Sequence, residues 1–205
     1  MKTKLHSFGE LMLLIMLLAA TIGEASKLQD IEYHYEPDRF SPADFTITDT
    51  IKGHVLKVGM SRDEIEALYG KSSEKTIFDY EVYGGLQVYY RDDIAVSFWV
   101  ATYNNLINRY TTSRGVGLGD ALSEVQQRYG DKFLISGKSL SSKHFTYRLR
   151  LVDGKVDPID FDEPSWTLNE YLDELYILHF YFVDSPSERL DSFVIGDMRA
   201  VTGSG

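Results

Sequence analysis

The chain has 205 residues, 43% of them hydrophobic and 25% charged, a globular composition long enough to bury one sizeable core or two small ones. This excludes a disordered, collagen-like or membrane-bundle protein. With 21 Lys and Arg against 31 Asp and Glu the net charge is −10, and a chain without a basic excess is poorly equipped to replace phosphate counterions, so nucleic-acid binding is excluded as a class. There is no cysteine, which removes disulfides, thiolate zinc sites, Cys nucleophiles and Cys-linked lipid anchors.

Residues 1–25 read as a signal peptide. Lys2 and Lys4 make a positive start, Leu11 to Ala20 is an unbroken apolar run, and Gly23 and Ala25 occupy the −3 and −1 positions of a small-residue cleavage site before Ser26. At about 1.5 Å per residue, Leu11 to Gly23 spans roughly 20 Å, short of a ~30 Å hydrocarbon core. The expectation is a secreted or cell-surface protein with no membrane span after cleavage; the alternative is an uncleaved anchor. Glu10 and Glu24 offset the two lysines, so the mature chain keeps the same net charge. Residues 26–52, with Pro37 and Pro42, read as an extended lead-in that donates Phe45–Asp49 as an edge strand.

An internal repeat organises the remainder. Val58-Gly-Met-Ser-Arg-Asp-Glu-Ile-Glu-Ala-Leu-Tyr-Gly70 aligns with Leu118-Gly-Asp-Ala-Leu-Ser-Glu-Val-Gln-Gln-Arg-Tyr-Gly130 at an offset of 60. Gly59, Glu64, Tyr69 and Gly70 recur as Gly119, Glu124, Tyr129 and Gly130, and Ile65 matches Val125 in kind. In the first copy Ser61 caps a helix and Glu64 completes a capping box. Ile65, Leu68 and Tyr69 share a face, and Gly70 ends the helix. In the second copy Asp120 is the expected cap, Leu122, Val125 and Tyr129 form the apolar face, and Gly130 is the stop. Helices this short must lie on something to persist.

Strand-like segments follow each helix: Glu74–Tyr80, Leu86–Tyr90, Ile94–Thr102 and Leu106–Thr112 after the first; Phe133–Ser136, His144–Val152, Leu175–Val183 and Arg189–Ile195 after the second. The closing strands align at an offset of 84, Leu106 with Leu190 and Asn108 with Ser192. The predicted fold class is α+β, a tandem repeat of a short helix followed by an antiparallel sheet of about four strands, the two sheets separate. The repeats cover 53–113 and 114–200, the second with an acidic loop inserted at 153–171, and 201–205 form a flexible tail. Alternation turns Ile94, Val96, Phe98 and Val100, then Phe145, Tyr147, Leu149 and Leu151, then Leu178, Phe180 and Phe182 toward the core. The opposite faces carry Tyr89, Trp99, Arg148, Arg150, His179 and Tyr181, with Tyr103 just beyond Ile94–Thr102. Large aromatics and Arg on an open sheet are the residue types that carry interface energy. The alternative is that both faces are buried, sheet against sheet or in a dimer.

The phrase Gly59-Met-Ser-Arg-Asp-Glu-Ile-Glu-Ala-Leu-Tyr-Gly70 resembles the helix signature of the small outer-membrane lipoprotein family SmpA/OmlA, and both copies resemble the tandem helix-plus-sheet units of the beta-lactamase inhibitor protein family. The Thr111-Thr-Ser-Arg-Gly115 lead into the second copy is similar to uncharacterised exported proteins of Gram-positive bacteria with the same tandem layout. The resemblance implies the fold over nearly the whole mature chain. The departures are the absent lipobox Cys, the absent disulfides of the inhibitor family, and Ala121 where the first copy has Ser61. Inhibition of beta-lactamase is therefore not carried over.

Catalytic motifs are missing. His34, His54, His144 and His179 lack metal-ligand spacing, although His144 and His179 fall on neighbouring strands where a zinc or acid–base pair is conceivable. Asp153, Asp157, Asp160, Asp162 and Glu163 cluster as hard-cation ligands do, without a calcium-loop pattern and stiffened by Pro158 and Pro164. There is no Gly-x-Ser-x-Gly elbow, and Gly115-Val-Gly117-Leu-Gly119 lacks a strand–helix–strand setting. The expectation is an exported non-enzymatic protein without metal or cofactor, binding a protein or cell-envelope component through its aromatic sheet faces and loops. The alternative is a small ligand-binding or hydrolytic envelope protein with a groove between the repeats, lined by His144, His179 and acids; a third is a purely structural role.

Overall fold

Two eight-residue helices set the frame. Helix α1 (Arg62–Tyr69) starts at Ser61, whose hydroxyl accepts from the Glu64 N–H at 3.3 Å while the Ser61 N–H donates to the Glu64 carboxylate at 2.7 Å. Helix α2 (Leu122–Tyr129) starts one residue later than the Asp120 cap expected from the sequence. Ala121 is its N-cap and keeps only half of the box, donating its N–H to Glu124 at 2.6 Å. The Asp120 carboxylate is occupied by the Gly117 N–H instead. The computed structural model describes residues 35–104, 109–138, 142–160, 172–183 and 187–202. The leader, residues 26–34 of the lead-in, Leu106 and Asn108, most of the acidic loop with Asp162 and Glu163, and the last three residues of the tail lie outside them.

The fold is α+β, with antiparallel strands and few helices. Strands β1 (Thr46–Asp49), β2 (His54–Lys57) and β7 (Tyr110–Thr112) form a small sheet in the order β2-β1-β7. The lead-in strand is thus central in its sheet rather than an edge. All other strands join a single nine-stranded sheet. These are β3 (Glu74–Lys75), β4 (Glu81–Tyr83), β5 (Leu86–Arg91), β6 (Ile94–Ala101), β8 (Ile135–Lys138), β9 (Ser142–Val152), β10 (Lys155–Pro158), β11 (Leu175–Val183) and β12 (Leu190–Asp197). Their order is β10-β9-β11-β12-β6-β5-β4-β3, with β8 also on β9. The strands following the two helices therefore do not make separate sheets. They fuse where β6 pairs with β12, from Ser97↔Gly196 to Ala101↔Ser192.

The closing strands also correspond differently from the offset of 84. Gly59 donates to the Ala95 carbonyl, Ala95 to that of Met60, and Arg62 to that of Asp93. Gly119 donates to Leu190, Leu190 to Asp120, and Leu122 to Glu188, the same three bonds with β12 in the place of β6. Both strands carry one extra residue beside an aromatic partner: Val96 between Tyr89↔Ser97 and Tyr90↔Ala95, and Asp191 between Tyr181↔Ser192 and Phe182↔Leu190. A bulge reverses the alternation. Hence Ala95, not Ile94 or Val96, turns to the core alongside Phe98 and Val100, and Ile94 is 39% exposed.

One core lies between the inner face of the large sheet and a layer made of both helices and the small sheet. Ile65, Val125 and Tyr129 pack with Ile47, Leu56 and Tyr110 against Phe98, Phe145, Tyr147, Leu149, Leu178, Phe180, Phe182 and Phe193. The tyrosines closing the two helices differ. Tyr129 is fully buried against Phe40, Tyr147 and Phe180, whereas Tyr69 is half-buried and donates its hydroxyl to Asp49 at 3.0 Å. Buried ion pairs brace the β1–β7 ladder at both ends. Arg114 binds both oxygens of Asp44 at 2.6 and 3.0 Å and sits against the Tyr129 ring, and Arg109 reaches Asp49 at 3.1 Å. Burial would raise Asp49, but bonds from Arg109, the Lys52 N–H and Tyr69 hold its carboxyl below the ordinary range. No helix among the described residues is long and apolar enough to cross a membrane.

Candidate functional site

The outer face of the large sheet is laid out by register. One cross-strand row runs Thr146–His179–Val194–Trp99–Gln87. On one side of it lies His144–Tyr181–Ser192–Ala101, and on the other Arg148–Ile177–Gly196–Ser97–Tyr89. The fused sheet thereby gathers Tyr89, Trp99, His179, Tyr181 and Arg148, taken from both halves of the chain, onto one surface. Trp99 sits at the seam opposite Val194. The central strands contribute small residues, and a Cβ at Gly196 would overlap Ser97, so the chain needs glycine there.

The rings interlock. Tyr80, immediately before β4, stands 5.5 Å from Tyr89 and edge-on to Trp99 at 5.8 Å, and it shares a 3.4 Å hydrogen bond with Ser97. Tyr103 meets Trp99 edge-on at 6.2 Å and accepts a bond from Gln87. On the other flank His144 stacks on His179 at 5.3 Å, and His179 lies 4.1 Å from Tyr181. Edge-to-face and offset contacts of this kind hold ring clusters in fixed poses. Sequence reasoning missed Tyr80, since a Thr76–Tyr80 turn and not strand alternation aims it at this face; Ser97 and Gln87 are silent without register.

Electrostatically the face is mixed. His179 shares a 2.8 Å bond with Thr146 through Nδ1. Burial first, then the neighbouring His144, lowers its pKa to about 4, so the ring is neutral at pH 7. His179 Nε2 and Trp99 Nε1 are both buried without a hydrogen-bond partner among the described residues. Burial pushes the hydroxyls of Tyr80 and Tyr181 up. Arg150 pairs with Glu174 at 2.6 Å, while the Arg148 guanidinium has no ion-pair partner among the described residues. At one end a small cluster of Ile159, Leu172, Leu175 and Met198 covers the sheet. Helix α3 (Met198–Thr202) follows β12 there, and Asp197 binds Arg91 at 2.6 Å.

The repeat residues take other places. Gly59, Ser61, Glu64 and Gly70 shape α1, and Gly119, Asp120, Glu124 and Gly130 shape α2, all away from this face. Among the described residues no three His, Asp or Glu side chains converge as a metal cage. Clefts of about 370, 240 and 390 Å3 open elsewhere, and none has His144 or His179 in its wall.

No protein-family model matches the chain, and no curated protein matches it. Among solved structures it is similar to an extracellular protein containing an SCP domain from Bacillus anthracis str. Ames, at 14% identity and a TM-score of 0.40. The likeness covers 71% of this chain and 45% of that one, so the chain spans less than half the length of the protein it matches.

Proposed function

We propose that the protein is an exported, non-catalytic binding protein that holds a protein or envelope component against the outer face of its shared sheet. The observation carrying this reading is the pair of ring groups on that face: Tyr80 and Tyr103 meet Trp99 and Tyr89 meets Tyr80, while His144, His179 and Tyr181 form a second group two strands away across Val194. Tyr, Trp and Arg dominate binding hot spots, Tyr and Trp because they bury large area at low conformational cost, and Arg148, without an ion pair among the described residues, adds a cation to the same face. Export rests on the leader-like residues 1–25. We further infer that the sheet arose from two helix-plus-sheet units, since the bonded helix-start residues recur at an offset of 60 while their strand partners and the bulges in β6 and β12 recur at an offset of 95.

The test is retention on a cell-surface fraction by the purified protein and by the Trp99→Ala plus Tyr181→Ala variant. The proposal expects retention to fall about tenfold or more, the loss of two anchors at roughly 1 kcal/mol or more each. Equal retention would remove the sheet face from the interaction.

A further inference from the structure

The β3–β4 turn presents two large apolar side chains to water. Ile77 is 92% exposed and Phe78 63%. The turn that carries them is fixed. The Thr76 N–H donates to the Tyr80 carbonyl at 2.8 Å and the Asp79 N–H to the Thr76 carbonyl at 3.0 Å. The Thr76 hydroxyl oxygen accepts from the N–H groups of Phe78 and Tyr80 at 3.3 and 3.1 Å. Asp79 takes a positive φ of 64°, which an Asp tolerates in a tight turn. A fixed turn loses little entropy on binding, which favours Ile77 and Phe78 as an anchor.

The same molecule carries a matching recess. A cleft of about 240 Å3 is walled by Phe45, Val58, Ile94, Val96, Leu151 and Tyr176, with Lys57 and Asp197 also lining it. A dry cavity of roughly 150 Å3 suffices for a benzene ring, so this one takes a phenylalanyl side chain. Register places knob and recess at one end of the large sheet. The turn enters β4 beside the end of β5, since Glu81 pairs with Val88, and β5 ends where Arg91 meets Ile94. Ile94, Tyr176 and Asp197 belong to that end, with Tyr176 opposite Asp197. About two strand spacings, or roughly 10 Å, separate β4 from β6. Charge fits as well. The exposed Asp79, in a surface pair with Lys75, flanks the knob, and Lys57, which forms no ion pair among the described residues, stands at the recess.

We propose that a second copy of this chain occupies the recess, the Ile77–Phe78 turn of each copy seated in the cleft of the other. Because knob and recess lie at one end of the molecule, a two-fold axis closes both contacts at once, and the assembly stops at a dimer instead of growing into a chain. This inference is independent of the sheet-face reading.

The test is sedimentation equilibrium of the purified protein from about 1 µM to 500 µM, beside Phe78→Ser and Ile94→Lys. The expected result is a monomer–dimer equilibrium that each substitution weakens about a hundredfold, since every contact occurs twice. Both positions are solvent-accessible, so unchanged melting curves verify the fold. A monomer at every concentration, or a dimer indifferent to both substitutions, overturns the proposal. So does a monomer whose turn instead binds phosphatidylcholine vesicles and loses them on Phe78→Ser, which would make Ile77 and Phe78 a lipid anchor.

Discussion

His179 shows how one side chain on this face ties burial to acidity. Its imidazole is wedged between His144 and Tyr181, bonded through Nδ1 to Thr146, and left with a buried Nε2 that has no partner among the described residues. With a folded pKa of about 4 against an unfolded value of 6.5, protons bind the unfolded chain more tightly. The stabilisation is therefore complete above pH 6.5 and is lost as pH falls through the interval toward 4, an effect on the order of 3 kcal/mol. Urea midpoints at pH 7 and pH 4.5 should separate widely for the wild type and much less for His179→Phe. An equal pH dependence in both proteins would mean that the ring is not held neutral by its surroundings. Alternation put His179 and His144 on one face, so their proximity was readable; the depressed basicity was not, because it depends on Tyr181 and the cross-strand stack.

At the scale of elements, the helix stops are the most exacting positions. Gly70 and Gly130 take φ of 81° and 88° with ψ near 180°, a region closed to side-chain-bearing residues. A Cβ on Gly70 meets nothing within 4 Å, whereas one on Gly130 would overlap Asp38. Asp38 also donates its N–H to the Tyr129 carbonyl and accepts from the Lys132 N–H, clamping the lead-in onto the end of α2. Gly70→Ala should cost about 1–3 kcal/mol from backbone strain, and Gly130→Ala about 1–2 kcal/mol more as those bonds give way. Urea denaturation measures both, and equal losses would contradict the clamp. The glycine stops were legible because each follows an apolar helical face, Ile65, Leu68 and Tyr69 at i, i+3, i+4 and Leu122, Val125 and Tyr129 at i, i+3, i+7. Asp120 misled because its carboxylate serves a turn at Gly117 and Ala121 caps the helix with backbone alone. The bulges at Val96 and Asp191 were invisible, since an extra residue shows only against its partner strand.

For the whole molecule, fusion of the strands through β6 and β12 is the feature that local patterns could not supply. Helix faces, strand runs and short turns are encoded residue by residue, but which edges meet is settled by long-range pairing. Phe193 opposite Val100 and Ile195 opposite Phe98 bury one inner face beneath both helices, and the same pairing brings Trp99 within a strand of Val194 and two of His179. Tyr89 lies on β5, Trp99 on β6, and His179 and Tyr181 on β11, and their placement on one surface comes from topology. That union is the centre of the functional reading. It is tested most directly through Trp99, made the sole tryptophan by Trp166→Phe: its emission is recorded as a cell-surface fraction is added to the purified protein. The account predicts a saturable change in intensity and a shift to shorter wavelength, both reduced by Tyr181→Ala. Emission that stays constant while the protein is retained by the fraction would contradict it.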